Sequence, residues 1–176
     1  MARANPQQKV ALEQLREDVL GTMQDLSLVG VQVISALEHL PLGVLRRSAT
    51  QRHGVTRWRR GADGTLVVET VDLHPNLLCE AWNSYAKFVL YHEFLHALGW
   101  RAHDMHFRGL EALCPDAAAR RLGPSFTQAM RTNRATWMWS CSTCDQRFPR
   151  QKRGNGRYIC RTCRTPLLDV PVHDAQ

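Results

Sequence analysis

The chain has 176 residues, 44% of them hydrophobic, and a formal net charge of +7. That size suits one ordinary domain with a small appendage, and the composition argues against wholesale disorder. Met1 to Leu15 carries Arg3, Lys9 and Glu13 and no long apolar core, so it does not read as a signal peptide. The stretch Leu26 to Leu37 is interrupted by Ser27, Gln32 and Ser35 and falls short of the ~20 residues a bilayer span needs, so no membrane partner is expected. The expectation is a soluble, intracellular, cytoplasmic protein.

In chain order, Asn5-Pro6 has the form of a helix start, with Asn as cap and Pro in the first turn. Val10, Leu12, Leu15, Val19 and Leu20 recur at helical spacing, Gly21 is expected to interrupt, and a second apolar stretch runs from Met23 to Leu40 before Pro41. Arg46, Arg47, Arg52, Arg57, Arg59 and Arg60 follow without an acid until Asp63. Gly61-Ala62-Asp63-Gly64 reads as a turn between strands, and Leu66 to Leu73 as a β-branched strand. A small antiparallel sheet with an arginine-rich hairpin is the expected result. Those arginines suit phosphate contact or protection of an exposed edge strand, and the two readings stay open. After Pro75 a long helix is predicted from Leu77 to Leu98, apolar on more than one face and therefore central to its domain.

That helix carries His92-Glu93-Phe94-Leu95-His96. Residues four apart lie about 40° apart around a helix and one turn apart along it, so both imidazoles can reach one ion. Glu93 sits about 100° round from His92, able to reach a water without itself binding the ion, which is the logic of the His-Glu-x-x-His pattern. A chance occurrence would bury three polar groups in an apolar helix at a cost of several kcal/mol. Catalytic zinc takes three protein donors and leaves a position open. The metzincin pattern places its third His where Ala102 stands, so that register fails. His103, then His106, then Glu111 are the candidates for the third donor. Glu80 and Asp104 are candidates to hold the second ring nitrogen of a ligand histidine. Arg101, His106 and Tyr85 are candidates to stabilise an oxyanion.

Four of the six cysteines form two pairs, Cys141-x-x-Cys144 and Cys160-x-x-Cys163, fifteen residues apart. This is the spacing of a structural four-cysteine zinc site, and so short a segment needs the folding energy of a metal. Cys79 and Cys114 read as buried thiols. From Trp137 to Leu168 there are seven Arg or Lys residues and one acid, which puts +6 of the charge there and leaves about +1 for the rest. Arg147, Arg150, Lys152, Arg153 and Arg157 interleave with Phe148 and Tyr158 around a hairpin expected at Gly154-Asn155-Gly156. That pattern suits phosphate contact with base stacking by Tyr158, or else a ribbon whose aromatics fill its own small core.

Taken together, His92-Glu93-Phe94-Leu95-His96-Ala97-Leu98 and His103-Asp104-Met105-His106-Phe107 resemble the SprT-like metallopeptidases. In that family a His four residues before an aromatic supplies the third ligand, and His103 with Phe107 matches that spacing. Val71 to Leu78 looks like the family's strand and turn before the active-site helix. Arg46-Arg47 through Trp58 is more loosely similar to its basic strands, and the four cysteines match the C-terminal zinc ribbon of many members. The likeness covers about residues 40 to 168 and departs from the family at the N-terminal helices and at His106. It implies an α+β, zincin-like domain over residues 1–135, with an N-terminal helical part over 1–41 and a buried active-site helix. A β zinc ribbon would follow over residues 136–170. It further implies two zinc ions, one catalytic on His92, His96 and His103 with Glu93 as base, and one structural on Cys141, Cys144, Cys160 and Cys163. The implied activity is endopeptidase cleavage of proteins trapped on DNA, with protein substrate and DNA as partners. The remaining alternatives are a general endopeptidase with a stabilising ribbon and a non-enzymatic nucleic-acid-binding zinc protein. The ligand set suits zinc and is also compatible with manganese, cobalt or nickel.

Overall fold

The computed structural model describes residues 3–27 and 31–172 and is a mixed α+β structure. Its contacts divide it into two compact units, Met1–Gly123 and Pro124–Gln176. The division falls at the first residue of a helix, α5 (Gly123–Asn133), whose remainder belongs to the second unit.

The first unit opens with α1 (Pro6–Asp25). The Asn5 side chain accepts from Gln8 N at 2.8 Å and the Gln8 side chain accepts from Asn5 N at 3.0 Å, a reciprocal cap that satisfies two orphan donors. Gly21 does not interrupt the helix. Its intrinsic cost of about 1 kcal/mol is outweighed by the burial of Leu20 and Met23 on either side. The apolar stretch expected from Met23 to Leu40 is therefore divided. Its first residues finish α1, α2 (Val31–Glu38) takes its later part, and residues 28–30 lie outside the described residues. The Arg16 guanidinium donates to the carbonyls of Glu38 and, at 2.8 Å, Leu40, tying the end of α2 to α1.

Three strands follow: β1 (Leu42–Val44), β2 (Gly54–Arg60) and β3 (Leu66–Leu73), in the order β1-β3-β2. The hairpin β2–β3 is antiparallel as expected, and Gly61 N donates to Thr65 O at 2.7 Å across its turn, with Gly64 at a φ of +82°. The sheet as a whole is mixed, because β1 pairs parallel to β3 with Leu42 opposite Val71. A three-residue strand paired across nearly thirty residues leaves no period in the sequence. On β3 the carboxylate of Asp72 is buried and bound by Arg57 at 2.5 Å, and Gly43 leaves the room beside it. One arginine of the basic run therefore neutralises an internal acid, while Arg46, Arg47, Arg52, Arg59 and Arg60 are exposed.

The long helix of this unit, α3 (Asn83–Ala97), begins six residues later than its pattern predicts. Two 3-10 turns, Pro75–Leu77 and Glu80–Trp82, precede it, and the extended backbone of Cys79 breaks the path between them. Cys79 is exposed, contrary to its reading as a buried thiol, because it sits on that extended link; Cys114 is half-buried. Helix α3 is buried on almost every side, through Tyr85, Phe88, Val89, Leu90, Tyr91, Phe94 and Leu95. It packs on α1, the sheet and α4 (Met105–Ala112). Among the described residues no helix is long and apolar enough to cross a membrane.

In the second unit β4 (Trp137–Ser140), β5 (Arg147–Arg150) and β6 (Leu168–Pro171) form an antiparallel sheet in the order β5-β4-β6. Gly154-Asn155-Gly156 does make a turn, with Asn155 and Gly156 at positive φ. It joins β5 to an isolated bridge at Ile159 rather than to a paired strand, since β5 pairs with β4. Around the cysteine pairs the buried cluster is small: Trp139, Cys141, Cys160 and Leu167.

Candidate metal centres

His92 and His96 project from successive turns of α3, and His103 comes from the loop after Gly99, which turns the chain at a φ of +108°. Their Nε2 atoms converge: His92 to His96 is 3.1 Å, His96 to His103 is 3.0 Å and His103 to His92 is 3.1 Å. Phe107, fully buried, lies beneath all three rings at centroid distances of 4.7 to 4.9 Å. Asp104 caps α4 by accepting from Phe107 N at 2.9 Å, which fixes that platform.

The far ring nitrogens decide what the near ones can do. His96 Nδ1 lies 2.7 Å from the Trp100 carbonyl, an acceptor only, so Nδ1 carries the hydrogen and Nε2 is bare. His92 Nδ1 lies 2.7 Å from Glu111 Oε1 with the same consequence. Burial lowers the His92 and His103 imidazoles below their usual range, which also favours the neutral ring. Bare nitrogen lone pairs gathered at about 3 Å repel one another unless a cation lies among them. Nitrogens 2.0–2.1 Å from a tetrahedral zinc would stand about 3.3 Å apart, near the spacing found. The donor set thus fits a metal and is consistent with zinc.

Neither Glu80 nor Asp104 supports a ligand histidine; Glu80 stands in the turn before α3, and Asp104 is spent on the cap. That position belongs to Glu111, one turn beyond Phe107 on the same face of α4. Arg108 donates to its other oxygen at 2.9 Å. Burial raises the Glu111 carboxyl, but the bonds from His92 and Arg108 prevail and hold it below its usual range. Of the three candidates for a third donor, His103 alone joins the cluster. His106 is exposed, its ring 6.0 Å from that of Trp100.

Glu93 is buried beside this group. Burial pushes its carboxyl up, opposed by a hydrogen bond from Thr56. The Thr56 hydroxyl lies 2.8 Å from Glu93 Oε2 and 2.9 Å from the Glu93 carbonyl. Gly54 lies against the same side chain, leaving the space it occupies. Sequence reasoning missed both residues; the only trace is that they open the strand next to the basic run. Gly54, Thr56, Trp58 and Arg101 join the histidines in lining an open cleft of about 420 Å³. The Arg101 guanidinium rests 5.3 Å from the centre of the Trp58 ring. The Tyr85 hydroxyl is taken up by His53 Nδ1 at 2.6 Å.

In the second unit the four sulfur atoms of Cys141, Cys144, Cys160 and Cys163 lie within 4.8 Å of one another. Cys144 and Cys160 are 3.7 Å apart, close to the edge of about 3.8 Å for sulfurs 2.3 Å from a tetrahedral zinc. Both knuckles share one backbone form: Asp145 N returns to Cys141 O at 3.0 Å and Arg164 N to Cys160 O at 2.9 Å, with Asp145 and Arg164 at positive φ. Backbone N–H groups of Thr143 and Cys144 lower the Cys141 thiol to about 7, toward the thiolate that a metal requires. The aromatics are largely engaged within the unit. Tyr158 stacks on Trp139 at 4.2 Å, Arg153 lies 4.1 Å over Trp137, and Arg150 lies over Trp139 and Phe148. Arg147, Lys152 and Arg157 are exposed.

Among the described residues two groups could hold a metal, three histidines on and beside a helix and four cysteines on paired knuckles. Its sequence is 33% identical over 79 residues to a protein named Protein SprT-like from Geobacillus sp. (strain WCH70). That match takes in 44% of this chain and 50% of the relative, so the chain spans about half the length of the curated relative it matches. The likeness supports membership of the SprT-like family. No family model and no solved structure matches the chain.

Proposed function

We propose that this chain is a zinc-dependent endopeptidase of zincin-like architecture, acting on proteins bound or crosslinked to DNA. One observation carries the reading: the Nε2 atoms of three imidazoles converge at 3.0–3.1 Å in an open cleft, with the Glu93 carboxylate beside them. His92, His96 and His103 would hold the catalytic ion through Nε2. When bound, such an ion supplies Lewis-acid polarisation of a carbonyl and acidification of water. Glu93 Oε1 takes a proton from water in the cleft and returns it to the leaving amine nitrogen, while Thr56 holds Oε2. Glu111 and the Trp100 carbonyl keep the His92 and His96 rings turned inward. Arg101, which lines the cleft beside Trp58, is a cation that could serve a developing oxyanion.

Cys141, Cys144, Cys160 and Cys163 would hold a structural zinc, making the second unit a ribbon. Its exposed Arg147, Lys152 and Arg157 suit phosphate contact, which would concentrate the protease on DNA-bound substrates. A second reading, a general endopeptidase whose ribbon only stabilises the fold, draws support from the stacking of Tyr158 and Arg150 on Trp139. Cleavage of a basic DNA-binding protein by wild type and Glu93→Gln, with and without DNA, tests both. Cleavage by wild type alone and only with DNA upholds the proposal. Cleavage indifferent to DNA selects the second reading, and no cleavage by zinc-loaded protein overturns both.

A further inference from the structure

Beside the cleft, and sharing Gly54, His92 and Glu93 with it, lies a second cavity of about 450 Å³. Its apolar wall is Tyr85, Phe88 and Val89, one and two turns before His92 on α3. Arginines from three separate segments stand around it: Arg52 ahead of β2, Arg108 on α4 and Arg120 in the turn following α4. Arg108 is already paired with Glu111 at 2.9 Å. Arg52 and Arg120 are exposed, and neither has an ion-pair partner among the described residues. The carboxylates at the cavity are both engaged, Glu93 by Thr56 and Glu111 by His92 and Arg108. A concave site with an apolar wall and two uncommitted guanidiniums complements a short side chain ending in a carboxylate.

We propose that this cavity is a specificity subsite, in which Arg52 and Arg120 receive an acidic side chain of the peptide substrate next to the scissile bond. The inference rests on the endopeptidase reading for its substrate and on the cavity for its chemistry. A phosphodiester offers the same charge. The continuity with the cleft favours the peptide, because whatever fills the cavity must be joined to what lies at Glu93. Methylenes of a glutamate would lie on Phe88 and Val89, leaving its carboxylate level with the arginine rim.

The test uses the full zinc-loaded chain and peptides in which Glu, Ala or Lys is scanned across the positions flanking one cleavable bond. Affinity is read by fluorescence anisotropy on Glu93→Gln, and cleavage position and rate by mass spectrometry on wild type. Glu at one flanking position is expected to improve both affinity and kcat/KM about tenfold over Ala, less in high salt. Arg120→Glu is expected to turn the preference toward Lys, and Arg52→Glu, on a separate segment ahead of β2, to do the same should the first variant fold poorly. Equal affinity for Glu, Ala and Lys peptides at every position overturns the subsite. So does displacement of bound peptide by an oligonucleotide with no dependence on peptide charge, which would make the rim a phosphate site. A clear acidic preference in binding, with no cleavage by the zinc-loaded wild type, sinks the endopeptidase reading and leaves the subsite standing.

Discussion

A methyl group built on Gly54 would stand 2.7 Å from Glu93 Oε1 and 2.8 Å from both Glu93 Cγ and Val89 Cγ1. Carbon atoms make optimal contact at about 3.5 Å, so Gly54→Ala is short of room by roughly 0.7 Å on two sides. Val89 is anchored in a helix buried on almost every face, whereas the Glu93 carboxylate can swing, so most of the adjustment falls on Glu93. Swinging costs it the 2.8 Å bond from Thr56 and carries the base away from its position beside the histidines. Misplacement of a reacting group by about 1 Å costs on the order of 100-fold, equivalent to about 2.7 kcal/mol in the barrier. The overpacking itself costs about 1–3 kcal/mol of stability. Zinc content is expected to stay at wild-type level, since no histidine moves. The assay is kcat on a peptide substrate, read beside zinc stoichiometry and a urea melt. A variant that folds, binds zinc and turns over within threefold of wild type refutes the idea that Gly54 reserves the space of the base.

Glu111→Ala is expected to weaken zinc at the three-histidine site 10- to 100-fold in chelator competition, because His92 loses the acceptor that fixes its ring; unchanged affinity speaks against that role. Removing metal from the ribbon, by Cys160→Ser, is expected to abolish amide-exchange protection over residues 136–172 while α1 and α3 keep theirs. A ribbon core of four buried residues has little else to hold it, and retained protection would show otherwise. His74 is fully buried, and burial holds its imidazole below the usual range while Nδ1 accepts from Asn76 N at 3.2 Å. Its contribution to stability is complete above the unfolded value of about 6.5 and is lost as pH falls from there through the lower folded value. Urea melts at saturating zinc from pH 7.5 to 5 are expected to show a slope of up to about 1.4 kcal/mol per pH unit that His74→Gln lacks, and parallel slopes would count against it.

What could be read from the sequence was what is local. The start of α1 is written in Asn5, Pro6 and Gln8, and the turn at Gly61–Gly64 in residues that tolerate its angles. The His92, His96 and His103 cluster and the two cysteine pairs are spaced by helix and knuckle geometry, which depends on neighbours along the chain. What escaped was settled across the chain. The parallel pairing of β1, the support of His92 by Glu111 and the contacts of Thr56 and Gly54 with Glu93 all join segments that no period connects. Gly21 shows the converse error: a local breaker was given weight that the burial of Leu20 and Met23 overrode. The spacing of Phe148, Tyr158 and Arg150 did not disclose that Tyr158 stacks on Trp139 or that Arg150 lies over Phe148.

All three imidazoles and the glutamate that steadies the first of them come from one uninterrupted stretch, His92 to Glu111. The alignment of Glu93 is borrowed from β2, nearly forty residues earlier. On the proposed reading, ion capture would be a low-contact-order property of a helix–loop–helix segment, and acid–base competence a high-contact-order property of the sheet docked on it. Damage to the hairpin would leave a protein that still takes up metal with near-native affinity and cannot turn over. Metal uptake alone would then be a poor measure of how much of a preparation is active.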